Sequence, residues 1–450
     1  MGRHSPACVG CVGAGNGDGM TEADGVDGAS VLRRAGWRII PLLGLAYMIA
    51  FMDRSNISFA ARTMNADLGF SATIYGIGGG VFFASYALFE IPSNILLERV
   101  GARRWIARIM ISWGLIAAAM MLVHSAWQFY ALRFALGMAE AGFFPGVIFY
   151  LSLWFPREAR GRAISRFYIS GPLTRVVMGV LSVWLLALNG SGGLKGWQWL
   201  FLVEGLPAVL AGLLVLWLLP DRPQAVGWLS QAEKDWLAAR LAEDGAGPAR
   251  RHSPLAALRL PAVLLLGMVG LLTTCAYYTF TLSEPQILAQ MTGWSVVSVG
   301  YLVSVGGLAG AAGMLFTGWM SDRTGTRVPF MIGSTALVLM AYALFALDGG
   351  RVTGLIAYAI YVACWGSVTL SVWMLCTDLV APGDMAVATA MVNTMSQTGA
   401  FFGPIAWGVA RDATGSFHTG FVGLAVAQAL ALVFVGALVR YRRKLAMGAR

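Results

Sequence analysis

Glu98-Arg99-Val100-Gly101-Ala102-Arg103 and Asp322-Arg323-Thr324-Gly325-Thr326-Arg327 are one motif written twice: an acid, Arg, a spacer, Gly, a spacer and Arg. Each copy closes an apolar run, and each glycine permits the tight turn that starts the next one. Working outward, apolar segments recur at about 39–61, 73–96, 105–123, 127–150, 163–188, 199–219, 262–286, 297–319, 328–347, 353–379, 387–410 and 419–439. At 1.5 Å per residue each reaches roughly the 30 Å of a bilayer core. The first motif follows the second segment and the second follows the eighth. A duplicated six-helix unit places them so, and parallel repeats of this kind are a transporter architecture.

Only 12% of the 450 residues are charged, 32 basic and 22 acidic, and 58% are hydrophobic. Soluble domains carry about 25% charge, so this composition excludes both a soluble enzyme and intrinsic disorder and predicts an all-α membrane protein of twelve helices in two pseudo-symmetric bundles. The net charge of +10 does not mark a nucleic-acid binder, because the basic residues fall in short clusters between apolar runs. Arg33, Arg34, Arg38, Arg99, Arg103, Arg104, Arg157, Arg160, Arg162, Arg166 and the C-terminal Arg440, Arg442, Arg443 and Lys444 all fall on one side. Only Arg62, Lys195, Arg351 and Arg411 fall on the other. The positive-inside rule then makes both termini cytoplasmic in a plasma (inner) membrane.

Residues 1–30, Gly-rich and with no hydrophobic period, read as a disordered leader, with Met20 an alternative start. An N-terminal bundle over 31–219, a polar cytoplasmic connection over 220–260, a C-terminal bundle over 261–440 and a basic tail over 441–450 complete the plan. Trp228 to Glu233 opens an amphipathic helix in the connection. Of five cysteines, Cys275, Cys364 and Cys376 lie in apolar runs. Cys8 and Cys11 lack the second ligand pair that a zinc site needs, so no metal or cofactor is expected. The four histidines lie outside span interiors, and no H-E-x-x-H, G-x-S-x-G or P-loop pattern occurs, which argues against an enzyme.

The informative residues are the ionisable ones inside spans, each of which costs roughly 2.5–3.5 kcal/mol at a helix centre. They are Asp53, Arg54, Glu90, Arg133, Glu140, Arg175, Glu204 and Glu284. Mutual pairing as helix-packing glue is the plain alternative for each of them, and weighs more for Glu90, Glu204 and Glu284, which lie nearer span ends. Arg133 and Glu140 are two helical turns apart on one face, too far to clamp one another, so each is free for a partner on another helix or for a ligand. An arginine fork binds a carboxylate through two parallel hydrogen bonds and keeps its charge. Arg54 is therefore assigned to a substrate carboxylate, with Arg133 as helper or switch partner. Glu140 is the first candidate for the transported proton's carrier and Asp53 the second, released when substrate draws Arg54 away from it.

The twelve-span plan and the paired loops resemble the major facilitator superfamily, and finer motifs resemble its anion:cation symporter branch. Those motifs are Asp53-Arg54-Ser55-Asn56-Ile57, Glu90-Ile91-Pro92-Ser93-Asn94, Trp154-Phe155-Pro156 with Arg160, Trp228-Leu229-Ser230 with Glu233, and Asp412-Ala413-Thr414-Gly415. The resemblance covers about 31–445. It implies two six-helix bundles rocking about a central cavity and proton-driven uptake of organic anions, among them sugar acids and aromatic or aliphatic carboxylates. It agrees with the roles given to Asp53, Arg54, Arg133 and Glu140, and it places Tyr86, Asn393 and Gln397 at the cavity, where interhelical hydrogen bonding explains them equally well.

The chain departs from that pattern in three places. Phe51 stands where many relatives have tyrosine, Ser283-Glu284-Pro285 replaces Trp-Leu-Pro, and Arg175 is an extra mid-span cation. A third cavity arginine beside a less hydroxylated wall suits a substrate with two carboxylates, or an aromatic acid. Glu98, Arg99, Asp322 and Arg323 are gating candidates, with solvated topology signals as the plain alternative. Gly142 with Gly146, and Gly306 with Gly310, are read as close helix contacts. The expected protein is thus a monomeric secondary transporter importing an organic carboxylate with protons. An anion exchanger or facilitator, a sodium-coupled anion carrier and a non-transporting receptor are the rivals.

Overall fold

The computed structural model describes residues 26–168, 170–245, 259–380 and 384–448. Apart from short 3-10 turns, the regular structure there is α-helical. The N-terminal half comprises α1 (Gly28–Leu68), α2 (Ala72–Val100), α3 (Ala102–Ala119), α4 (Ala126–Glu140), α5 (Phe143–Ser152), α6 (Arg157–Tyr168), α7 (Ser170–Ala187) and α8 (Gly196–Leu218). The connecting α9 (Gln231–Gly245) is followed by α10 (Pro261–Thr292), α11 (Val296–Thr324), α12 (Val328–Ala346), α13 (Gly350–Leu379), α14 (Met385–Thr414) and α15 (His418–Gly448).

Counting α4–α5 and α6–α7 as one span each, eleven of these segments among the described residues are long and apolar enough to cross a membrane. The remaining one of the expected twelve, α14, is 30 residues long but carries Thr389, Asn393, Thr394, Ser396, Gln397 and Thr398 along its interior. It packs against α2 and α10, where Ser396 and Gln397 are buried, while Thr394 and Thr398 stay exposed.

Helix ends have local causes. Asp27, Ser71, Ser125 and Ser295 each accept a first-turn N–H at the start of α1, α2, α4 and α11. The glycine of the second repeated loop, Gly325, is left-handed (φ 63°) and closes α11, while Gly101 of the first has φ 95°. Several elements run past their apolar cores. α1 begins at Gly28, inside the stretch read as leader, and α15 continues helically through most of the basic tail. Residues 1–25, with Cys8, Cys11 and Met20, and residues 246–258 lie outside the described residues.

The two halves meet along α2 with α14, α7 with α11 and α1 with α10. With an even number of spans, both described chain ends emerge on one face, here the terminal face; the other is the distal face. Contacts between the bundles crowd the distal half. Tyr75 donates its hydroxyl to Leu282 O (2.7 Å), and Ser304 to Val176 O (2.9 Å). Asp412 accepts the Ala72 and Thr73 N–H groups (3.0 and 2.7 Å), capping α2 from the opposite bundle. Where α7 crosses α11, a Cβ on Gly179 would collide with Gly300 O and Ser304, so only glycine permits this approach. A hollow of about 470 Å³ opens at the distal face between Arg62, Tyr75, Gln286 and Arg411.

On the terminal face, α9 docks on α1. Ser230 and Glu233 cap each other's backbone at its start. Glu233 also pairs with Arg34, while Trp228 lies under Arg38 (4.5 Å) and stacks on Trp154 (5.9 Å). The Ser230 N–H and the Arg34 guanidinium hold the Glu233 carboxyl below its ordinary range.

Candidate substrate and proton site

Helix α4 stops at Glu140, because Ala141 leaves helical geometry and Gly142 takes φ 84°, a left-handed value that favours glycine. Gly142 is thus a break as well as the close contact expected of it, since a Cβ there would collide with Ser93 of α2. Ser93, from the Glu90-to-Asn94 motif, donates its hydroxyl to the Ala141 carbonyl freed by the break (2.6 Å). The last residue of the half-helix, Glu140, consequently points to α1, where Arg54 Nε and Nη2 both reach Oε1 at 2.6 Å. The carboxylate is buried, 1% exposed, whereas the Arg54 side chain keeps 15%. Tyr86 lies 5.0 Å below the guanidinium, Phe51 and Phe82 flank it at 5.7 and 5.8 Å, and Tyr278 of α10 approaches from the opposite bundle. An open cation on a buried acid, walled by aromatic rings, is what a carboxylate ligand can enter.

The other site candidates separate. Asp53 does not pair with Arg54, because adjacent helical residues point about 100° apart. Instead Asp53 accepts from Trp113 Nε1 at 2.5 Å and from Asn56 at 3.5 Å inside the N-terminal bundle, near buried Glu204. Arg133 is 2% exposed, donates to Gly78 O (3.0 Å) and lies over Phe82 (4.7 Å), so it braces α2 rather than facing a ligand. Arg175 is not a bare third cation: its Nη2 contacts both Glu284 oxygens at 2.6 Å, across the bundle interface. Asn393 donates to both oxygens of Glu90 (3.2 and 3.0 Å), also between bundles, and Gln397 is buried on α14.

Of the gating candidates, Glu98, Arg99 and Arg323 are exposed, Arg323 lying over Trp319 (5.4 Å); the Asp322 side chain lies outside the described residues. The ion pairs belong to the last arginine of each loop, Arg103 with Asp221 (3.2 Å) and Arg327 with Asp378 (2.7 Å), each inside its own bundle. Sequence reasoning passed over Trp113, Tyr278 and Tyr358, aromatic residues among many in apolar runs, whose polar atoms gain meaning only from their neighbours. Among the described residues no cluster of three or more metal-ligating side chains occurs.

The family model described as Major Facilitator Superfamily matches residues 43–404. The chain belongs to that superfamily. Two relatives from Agrobacterium vitis, each named "Putative tartrate transporter", are 41% and 42% identical, covering 87% of this chain and 87% and 90% of theirs. A "Quinolone resistance transporter" of Acinetobacter baumannii is 37% identical over 90% of this chain and 93% of its own. Among solved structures, the xylose transporter XylE from E. coli, partially occluded and inward open, superposes with TM-score 0.72 at 15% identity, covering 91% of this chain and 98% of its own. The protein is therefore a multi-pass membrane transporter of the major facilitator fold and not an enzyme, and its relatives include proteins named for carrying a small organic anion.

Proposed function

We propose that this major facilitator protein imports an organic carboxylate together with protons, by alternating access between its two bundles. The observation that carries the reading is the Arg54–Glu140 pair, an open guanidinium held by a buried carboxylate. An incoming carboxylate can replace Glu140 on Arg54. That leaves Glu140 buried without its counter-ion, and a bare buried carboxylate is costly enough that it takes a proton. Anion and proton then favour each other's binding by the same factor, because coupling is reciprocal.

Asp53, hydrogen-bonded by Trp113 and Asn56 and not paired with Arg54, becomes a support of α1 rather than the carrier. The basic clusters make the terminal face cytoplasmic. The distal contacts then hold the two bundles together on the outer side. The Agrobacterium relatives named for tartrate support a hydroxy-carboxylate as the first substrate to try.

Purified protein in proteoliposomes, given a panel of mono- and dicarboxylates with acid outside, should accumulate at least one of them against its gradient. Collapse of the pH gradient should abolish accumulation. Transport indifferent to the pH gradient would contradict the proton coupling and favour an exchanger; dependence on sodium would favour a sodium-coupled carrier.

A further inference from the structure

Arg175 and Glu284 occur where the sequence departs from the carriers it resembles, and they pair with each other. The pair repeats the logic of Arg54 and Glu140 in a second place. Glu284 is buried, its side chain 3% exposed, while Arg175 keeps 21%, again an open cation on a closed acid. Tyr358 of α13 donates its hydroxyl to Glu284 Oε1 at 2.7 Å, so the carboxylate keeps a partner if the guanidinium turns away. Adjacent tyrosines of α10, Tyr277 and Tyr278, their rings 4.9 Å apart, link the two pairs. Tyr278 reaches Arg54, and its neighbour Tyr277 stands beside Arg175 and stacks on Trp365 with ring centroids 3.5 Å apart. Glu284 lies eight residues, about 12 Å, from the distal end of α10, and Arg54 fourteen residues, about 21 Å, from that of α1. The second pair is therefore displaced towards the distal side and spans the bundles, Arg175 from one and Glu284 from the other.

We propose that Arg175 and Glu284 form a second carboxylate-and-proton site, so that the protein moves dicarboxylates with two protons, each substrate carboxylate replacing one glutamate on one arginine. The inference rests on the proton-coupled reading and deepens it. Charge balance is its physical core. In the empty carrier the two arginines are neutralised by two glutamates. With a dianion on the arginines, the same site is neutral only when both glutamates hold protons, and a membrane protein has strong reason to avoid a buried net charge during the rocking step. Releasing Glu284 from Arg175 also unties the bundles on the distal side, which ties proton uptake there to opening. The groups facing Glu284 are Arg175 from α7, Tyr358 and Tyr361 from α13 and Tyr342 from α12, with Tyr277 of α10 beside Arg175; among these Arg175 is the sole cation.

The test is the charge moved with tartrate by the full chain in proteoliposomes, at fixed pH gradient and with membrane potential clamped by potassium and valinomycin. Wild type should accumulate tartrate to a level independent of potential, since a dianion with two protons carries none. Glu284→Gln should carry one proton, so its accumulation ratio should fall about tenfold for each 59 mV of inside-negative potential. Because both residues also tie the bundles together, the folding control is physical: Glu284→Gln and Arg175→Gln should each elute as a monodisperse species with a thermal transition close to that of wild type. Arg175→Gln should raise the KM for tartrate at least about tenfold, as loss of a charge-assisted fork does.

A wild type that moves net negative charge with each tartrate overturns the inference without recourse to any variant. So does a folded Glu284→Gln protein that still moves tartrate electroneutrally, or a folded Arg175→Gln protein whose KM for tartrate is unchanged. Failure of every carboxylate to respond to the pH gradient in wild type would instead remove the proposed function itself.

Discussion

Arg54 and Arg133 are the same side chain in the same bundle, yet only Arg54 offers its guanidinium to the space between the bundles, while Arg133 spends its Nε on Gly78 O under Phe82. The difference lies in the neighbours: Glu140 and the aromatic walls on one side, a bare glycine carbonyl on the other. Two Arg54 nitrogens converge on one carboxylate oxygen, a geometry that an ammonium cannot reproduce. Arg54→Lys should therefore keep the charge but lose about 1.5–3 kcal/mol of hydrogen bonding to a carboxylate, raising KM roughly tenfold or more. Initial-rate uptake in proteoliposomes measures this, and an unchanged KM would contradict the assignment. That Arg54 and Glu140 matter was legible in the sequence, because lipid opposes a charge wherever it lies in a span. Their pairing was not, nor was the turning away of Asp53. One residue's step around a helix decides which side chain faces the cavity, and the sequence carries no absolute phase for that rotation.

At the scale of elements, the spans were legible from apolar runs, and their interruptions were not. The α4 break after Glu140 rests on Gly142 and on Ser93, which lies in a different span and completes the hydrogen bonding of the freed carbonyl. The Asp412 motif was visible, but its task, capping α2 from the other bundle, emerges only when α14 is laid beside α2. Desolvation pushes the Asp412 carboxyl up, yet hydrogen bonds from Thr73, Ser71 and Ala72 outweigh it and hold it below its ordinary range. The closing contact is thus at full strength at and above the ordinary carboxylate range and is lost as pH falls through the lowered value. Asp412→Asn should cost the distal closure about 1 kcal/mol, roughly a fivefold gain in the distal-open population. Spin labels on Thr63 and Ser416, read as a distance distribution, should show more of the longer separation; a distribution identical to wild type would contradict the capping role.

At the scale of the whole molecule, the duplicated loops announced two halves, and the structure shows what joins them: Tyr75 to Leu282, Asp412 to α2, Arg175 to Glu284 and Asn393 to Glu90. Each of these bonds crosses between bundles that alternating access must separate on one side at a time. The exchange of carboxylates on Arg54 links that motion to the proton. The most direct measurement is made on Glu140→Gln, which keeps the shape of the side chain and removes its charge. Counterflow of labelled carboxylate against unlabelled carboxylate should persist in this variant at a rate within about tenfold of wild type, while accumulation driven by an imposed pH gradient should vanish. Accumulation at the wild-type level in Glu140→Gln would contradict the assignment of the proton to Glu140, and with it the proposed coupling.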